Sequence, residues 1–473
     1  MQQLSGMDAS FIYFETPKSP GHIFSVYIYD QSSAPGGRVT FKGILNHLEA
    51  RLHVSRTFRQ RLVEVPMGID HPYWIEDPEF DLEYHVRHIA LPKPGDWRQL
   101  MIQVARLHSR PLDLSRPLWE LYVIEGLDNI PGLPPGSFAI MTKIHHAAVD
   151  GVSLLEITSA VHDTTPDAEP PKPERPWRPE AEPSAMELLT RAAYNNATRP
   201  WRFAQLMSRM TPGGGRAAPP PAVAGDVVTG SAPRTRFSAT LSGHKVVEAR
   251  RFELAAAKRI KNAVPGATIN DVAITVVGGA LRAYLEEKGE LPDAPLRVMA
   301  PISTRTADQS GAAGNQVSAM VVTSGSDVAD PKARLATVHE STKASKAMSE
   351  AVGARDLAQF SEFMPGGLAA LAARTAATFE MASRTEPVIN TVVSNVPGPQ
   401  VPLYFAGARL VTFFGGAGLG DGMGLSHGVS SYVGQLILSV VSDRDMMPDP
   451  GHYADLLEAS FAGLADATAG GSS

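Results

Sequence analysis

The stretch densest in reactive side chains is Lys143-Ile144-His145-His146-Ala147-Ala148-Val149-Asp150-Gly151-Val152. Two imidazoles, a carboxylate four residues beyond the second and a glycine share one compact turn. A neutral imidazole takes a proton from a hydroxyl near pH 7, which suits a histidine here to act as general base when an alcohol attacks a carbonyl. Gly151 admits backbone angles that other residues resist. Asp150 has two available roles, orienting a catalytic histidine directly or pairing with a distant arginine so that the turn is rigid. Sequence leaves both open. His145, His146 and Asp150 could also be read as metal ligands, or the two histidines as purely structural. Against the ligand reading, adjacent residues leaving a strand project to opposite faces, and no metal is expected.

Regular elements must deliver this turn. Phe138 to Ile144 reads as a strand ending at the histidines, with Leu121 to Ile124 and Ile23 to Tyr29 as further strands. Thr40 is placed to cap a helix with Phe41, Ile44, Leu45, Leu48 and Leu52 on one face, and Leu100 to Leu107 gives another. Between Thr164 and Pro183, prolines at 166, 170, 171, 173, 176, 179 and 183 forbid regular structure. Helical stretches surround Trp201, and Pro212 to Pro233 reads as flexible loop. A second mixed unit then offers strands at 245–252, 296–300, 317–323, 388–393 and 435–442. Its helices are expected at 255–263, 270–288, 331–350, 366–384 and 453–465. The division is an N-terminal domain at 1–163, a Pro/Gly-rich crossover linker at 164–236 and a C-terminal domain at 237–473. No residue-level repeat relates the two domains.

The 473 residues carry 43 Lys+Arg against 49 Asp+Glu, a net charge of −6, which excludes a general electrostatic binder of nucleic acid. Only 19% of residues are charged, against about 25% in typical soluble chains, so apolar ligands or a lipid surface become candidate partners. The absence of cysteine removes disulfides, thiolate zinc sites, iron–sulfur clusters and cysteine nucleophiles. The N-terminus lacks a secretory signal, and no apolar run reaches the roughly 18 residues of a membrane span. A cytoplasmic location is expected, with any membrane contact peripheral, at the inner face of the membrane or on lipid droplets.

His145-His146, three residues, then Asp150-Gly151 is the hallmark pattern of the CoA-dependent acyltransferase superfamily. More specifically, the chain resembles the bacterial wax ester synthase/diacylglycerol acyltransferases. Five further stretches carry that resemblance: Leu4-Ser5-Gly6-Met7-Asp8, Arg116-Pro117-Leu118-Trp119-Glu120, Asn270-Asp271, Pro301-Ile302-Ser303-Thr304-Arg305 and Ser394-Asn395-Val396-Pro397-Gly398-Pro399. They span nearly the whole chain. An Asp-Phe-Gly-Trp-Gly segment, expected of plant-type relatives, is absent, which favours the lipid-synthesising branch.

The resemblance implies an α/β fold of two chloramphenicol-acetyltransferase-like domains with a channel between them, the Pro-rich linker being the crossover. It implies that His146 is the base and that Asp150 is structural, paired with an arginine from the Arg59-Gln60-Arg61 segment; Arg61 is preferred, the alternative being a solvated basic strand. Trp119 is a candidate wall of the acyl channel or core. Asn270 and Asp271 either contact substrate or begin a helix, and Asn395 either contacts substrate or forms a turn. Asn270, Ser303 and Ser394 are candidate oxyanion donors.

Gly424-Leu425-Ser426-His427-Gly428 fits the pattern of a serine-hydrolase elbow, with Asp443 or Asp449 and then His452 in hydrolase order. The elbow needs a strand before the serine and a helix after it; here glycines precede it and a strand-like run follows. The spacing of those glycines does not fit a dinucleotide fingerprint, and flexible turns account for them.

The reading is an O-acyltransferase moving a fatty acyl group from long-chain acyl-CoA, a co-substrate, to diacylglycerol or a long-chain alcohol, with no bound cofactor. The alternatives are transfer to a polyketide or other polar acceptor, a serine esterase using Ser426, and a non-catalytic lipid-binding role.

Overall fold

The computed structural model describes residues 1–149, 157–173, 177–210, 230–303, 317–352 and 385–469. The predicted helix at 366–384, Asp150 and Gly151 lie outside the described residues, as does most of the predicted loop at 212–233.

The first half contains β1 (Gln2–Gln3), α1 (Gly6–Tyr13), β2 (His22–Asp30), α2 (Phe41–Glu49), β3 (Gln60–Val63), β4 (Tyr73–Glu76), α3 (Leu82–His85), β5 (Val86–Ala90), α4 (Trp97–His108), β6 (Trp119–Glu125) and β7 (Phe138–His145). Thr40 caps α2 as its sequence suggests, its hydroxyl accepting from the Gly43 N–H at 3.1 Å. From 164 to 173 and 177 to 183 the chain makes neither helix nor strand, and α5 (Ala185–Met210) follows. The second half contains β8 (Lys245–Glu253), α6 (Leu254–Asn262), α7 (Ile269–Glu287), β9 (Arg297–Ser303), β10 (Val317–Thr323), α8 (Pro331–Val352), β11 (Thr391–Pro397), β12 (Tyr404–Phe405), β13 (Ala408–Gly416), β14 (Leu425–Tyr432), β15 (Gln435–Asp443) and α9 (Pro450–Ala469).

Two six-stranded sheets form the two halves, in the orders β12-β13-β2-β7-β6-β5 and β10-β9-β11-β14-β15-β8, and β1-β4-β3 make a small third sheet. Strand β7 lies between β2 and β6, with His22 opposite His145 and Glu120 opposite Lys143. Both faces of β7 are covered, so its side chains are nearly all buried rather than alternating. Lys143 is fully buried there. Its ammonium donates to Arg110 O at 2.7 Å and to Glu120 Oε2 at 3.1 Å, while Arg87 reaches Glu120 Oε1 at 3.3 Å. Burial pushes the Lys143 ammonium down from the usual lysine range, and the Glu120 carboxylate opposes that shift. A buried cation is tolerated because its donors are satisfied, and the pair fixes the end of β7 against β6.

Strands β12 and β13 lie late in the chain yet complete the first sheet, β13 pairing antiparallel with β2. The structure corrects two expectations. Gly415 and Gly416, expected in flexible turns, end β13. A Cβ on Gly415 would lie 2.6 Å from Phe24 O, and one on Gly416 would lie 2.5 Å from Val441 Cγ2. A Cβ on Gly428 of β14 would collide with the Gly415 carbonyl, so glycine here permits close approach of the two sheets rather than a turn. The strand expected at 388–393 runs instead from Thr391 to Pro397, which puts Asn395 inside β11 opposite Val429, not in a turn after it.

One apolar core runs across the junction, with Phe24, Phe414, Val441 and Leu100 in the same packed cluster. On the other side of the seam α4 lies against β8, where Trp97 Nε1 donates to Glu248 Oε2 at 3.0 Å. Gly428→Ala should destabilise the protein by about 1–3 kcal/mol, because the obstructing atom is backbone and cannot swing away. Gly463→Ala, in α9 with nothing within 4 Å of the added carbon, should stabilise it by about 0.4–1 kcal/mol. Denaturant melts of the two variants check both signs.

Candidate active site

His145 and His146 leave the end of β7 and are held quite differently. The His145 N–H donates to Leu118 O at 2.9 Å, and its carbonyl accepts from the Ala148 N–H at 2.9 Å, closing the turn. Its imidazole is completely buried. Nδ1 accepts from the Ala147 N–H at 3.0 Å, so the ring proton resides on Nε2, which donates to Glu15 Oε2 at 3.1 Å. Both ring nitrogens are therefore committed to positioning the turn, and neither offers a lone pair to a substrate proton or a metal ion. Among the described residues no three His, Cys, Asp or Glu side chains are grouped as a metal site requires.

His146 is half-buried. Its N–H donates to Gly21 O at 2.9 Å, and its ring stacks on Phe11 with centroids 4.4 Å apart and planes 7° apart. Phe11 lies on α1, and the Leu4-to-Asp8 motif makes that helix. The Ser5 hydroxyl accepts from the Asp8 N–H at 3.1 Å and donates to Asp8 Oδ2 at 2.7 Å, while Leu4 and Ala9 pack with Leu118 and Ala147 beneath the turn. Gly21 completes the cradle, since a Cβ there would stand 2.6 Å from His145 Nε2 and 2.9 Å from Phe11 O.

The other candidates distribute between site and scaffold. Trp119 is core: its ring lies between His85, 4.6 Å away, and Phe58, 5.5 Å away, and its indole N–H donates to Phe58 O at 3.0 Å. Asp271 is a buried brace. It accepts from the Thr268 N–H at 2.8 Å in a capping box at the start of α7 and from Thr342 on α8 at 2.7 Å, with His339 Nδ1 at 3.1 Å. Asn270 occupies the first turn of α7 and is half-buried. Ser303 ends β9, and Ser394 and Asn395 are half-buried neighbours on β11. Arg61 on β3 meets Asp77 Oδ1 at 3.4 Å and Glu182 Oε1 at 2.8 Å, whereas Arg59 lies over the Trp177 ring at 4.6 Å.

The hydrolase constellation is not assembled. Ser426 sits within β14, buried, with its hydroxyl unbonded among the described residues. His427 is locked between Thr391 Oγ1 at 3.0 Å and Tyr453 Oη at 2.9 Å, and burial pushes its imidazole down to about 3. Asp443 accepts from Ser242, Asp449 accepts from Tyr284 and Lys288, and His452 meets Glu287 at 2.6 Å. The would-be acids and base are each engaged elsewhere, and Ser426 lies inside a strand rather than at an elbow.

Sequence reasoning missed Phe11, Glu15 and Gly21, which belong to no chemical motif. The available signal was the length of α1 and the strand after it: Glu15 lies four residues beyond Phe11, and His22 is paired with His145.

The wax ester synthase/diacylglycerol acyltransferase catalytic domain matches residues 4–273, and the C-terminal domain of the same family matches residues 313–465. A Mycobacterium tuberculosis protein carrying a diacylglycerol O-acyltransferase name is 33% identical over 467 residues, which cover 96% of this chain and 88% of that one. The solved wax ester synthase/diacylglycerol acyltransferase from Marinobacter aquaeolei VT8 has a TM-score of 0.69 at 24% identity, over 99% of this chain and 100% of that one. The first condensation domain of the CDA synthetase has a TM-score of 0.55 at 14% identity, over 100% and 97%. These two likenesses show that the paired α/β halves have a fold shared with both proteins. With catalytic and C-terminal domains both matched and a relative one-third identical along nearly its whole length, this chain belongs to the wax ester synthase/diacylglycerol acyltransferase family.

Proposed function

We propose that the protein transfers a fatty acyl group from long-chain acyl-CoA to the free hydroxyl of diacylglycerol, of a long-chain alcohol, or of both, with His146 as general base. The observation that carries this reading is that His145 is fully buried with both ring nitrogens engaged, which excludes it as the base. Its neighbour His146, half-buried and stacked on Phe11, is the histidine of the turn that substrate can reach. His146 takes the hydroxyl proton as the oxygen attacks the thioester carbonyl, the C–S bond then breaks, and the imidazolium returns the proton to the departing thiolate. No acyl-enzyme is needed. A channel between the halves brings donor and acceptor to His146 from opposite faces.

The oxyanion donor comes from the second half, with Asn270, Ser303 and Ser394 as its candidates. Trp119 and Asp271 serve by packing. Asp150 is structural in this reading, with Arg61 as its cation, shared with Asp77 and Glu182.

The proposed working place is the surface of a membrane or lipid droplet in the cytoplasm. No helix of the described residues is long and apolar enough to cross a membrane. One face of α5 is docked through Leu188 and Ala192 against Val65 and Tyr73. Its other face exposes Met186, Tyr194 and Trp201, at 73%, 65% and 69%, and the neighbouring Met67 is 82% exposed. The helix carries four arginines and one glutamate within a chain of net charge −6. An aromatic stripe on a cationic helix fits an anionic lipid surface.

Thiol release from palmitoyl-CoA, measured with long-chain alcohols, diacylglycerols, polar alcohols and water as acceptors, tests the reaction. His146→Ala should lower it by about 10²–10⁴-fold and Ser426→Ala should leave it largely intact. An acyl-serine trapped by mass spectrometry, or a polar acceptor preferred over both lipids, overturns the reading. For the Asp150–Arg61 pair, a double-mutant cycle read by denaturant melts should show coupling, with Asp150→Asn costing about 3–5 kcal/mol; additive losses exclude Arg61. Trp201→Ala with Tyr194→Ala should weaken sedimentation with phosphatidylglycerol vesicles by about tenfold or more without changing turnover of dispersed substrate; unchanged binding refutes α5 as the dock.

A further inference from the structure

Helix α1 and the residue just past its cap touch both histidines of the turn. Phe11 stacks on the His146 ring, and Glu15 Oε2 accepts from His145 Nε2. Tyr13 lies between these two residues in sequence. Two positions along a helix are separated by about 200° of rotation, so Phe11 and Tyr13 leave α1 on opposite sides. The Tyr13 hydroxyl reaches the segment joining β3 to β4, 2.9 Å from His71 Nδ1, and the two rings stack with centroids 5.9 Å apart. Apolar packing around α1 holds it close to the turn but is non-directional. The Tyr13–His71 bond fixes its rotation.

His71 is fixed in turn by the residue before it. The Asp70 side chain is completely buried; its Oδ1 accepts from the His71 N–H at 2.9 Å and from Arg199 Nη2 at 2.7 Å, and its Oδ2 accepts from Asn195 Nδ2 at 2.7 Å. A buried carboxylate is tolerated only where such partners replace its hydration. Both of these side-chain partners stand on α5. With Leu188 and Ala192 they form one stripe, at spacings of four, three and four residues, so the face that docks α5 by apolar contact is also the face that serves Asp70. Asn195 donates as well to Gln3 Oε1 at 3.0 Å, tying α5 to β1, the strand that leads into α1.

We propose that Tyr13, His71 and Asp70 are positioning residues for the catalytic base, and that α5 anchors them through Asn195 and Arg199. This rests on His146 being the base. The connection runs from α5 to Asp70, from its neighbour His71 to Tyr13, and along α1 to Phe11 on His146 and Glu15 on His145. Every step between elements is a direct contact. The segment between the two halves, expected to be a crossover linker, is thus part of what aims the base. It acts from behind α1, away from the reacting atoms.

The test combines two readouts on the full-length enzyme: kcat and KM with palmitoyl-CoA, and the rate at which diethyl pyrocarbonate modifies His146, followed by peptide mass mapping. Tyr13→Phe, which removes one oxygen and no packing, should lower kcat by about tenfold and leave KM for acyl-CoA within about twofold of wild type. It should also speed modification of His146 severalfold, because Phe11 no longer covers the ring squarely. Arg199→Met should do the same from the far end, with Arg199→Lys recovering part of the loss. Since the two sites are links of one chain, the double variant Tyr13→Phe/Arg199→Met should be no slower than the slower single variant. Unchanged kcat in Tyr13→Phe, losses that multiply in the double variant, or a kcat loss with His146 modified at the wild-type rate would each overturn the proposal. If Arg199→Met does not fold, Tyr13→Phe alone still decides it through kcat and the modification rate. An active His146→Ala enzyme would instead remove the underlying assignment of the base, whatever the other variants show.

Discussion

The imidazole of His145 is gripped from both sides, by a backbone N–H on Nδ1 and a carboxylate on Nε2, and the presentation of His146 depends on that grip. A strand end is ordinarily free to fray. Here the strand terminates in a ring that cannot rotate without breaking two hydrogen bonds inside a fully buried pocket, where an unmade bond costs about 1–3 kcal/mol. The neighbouring elements follow from the same requirement. Helix α1 exists to place Phe11 and lead to Glu15, Gly21 exists so that β2 can begin against the ring, and Lys143 with Glu120 keeps the strand in register two residues earlier.

The second constraint is the intimacy of the two sheets. Gly428 brings β14 against the Gly415 carbonyl of β13, and Gly416 brings β13 against Val441 of β15, at distances that a methyl group would block, and β13 is at once the partner of β2. Because β2 also pairs with β7, one strand separates β13 from the histidine turn. Changes in how the halves meet therefore act on the site through a single sheet, with little between that can absorb them.

Much of this was legible in the sequence wherever local signals and tertiary packing agree. The apolar run leading into His145, the Thr40 cap and the amphipathic α4 all describe elements whose own residues decide them. The histidine pattern identified the turn. What could not be read is decided at a distance. Gly415 and Gly416 look like loop residues because sequence does not say that atoms of other strands crowd against them. Ser426 looks like a nucleophile because a short pattern carries no information on whether it sits in a strand or at a sharp turn. Trp119 and Asp271 belong to motifs whose residues turn out to hold the scaffold that carries the chemistry. Glu15 escaped altogether, since a single carboxylate after a short helix becomes meaningful only when the chain folds it onto His145.

The late arrival of β13 has a consequence for how the protein is made. Ser33 and Gly407 touch across 374 residues of chain, and the sheet containing the histidine turn has no partner for β2 on that side until β13 emerges from the ribosome. At about 5–20 residues per second, that strand edge stays open for on the order of 20–75 s, exposed to other nascent chains. The catalytic half, although encoded first, is among the last parts to be finished.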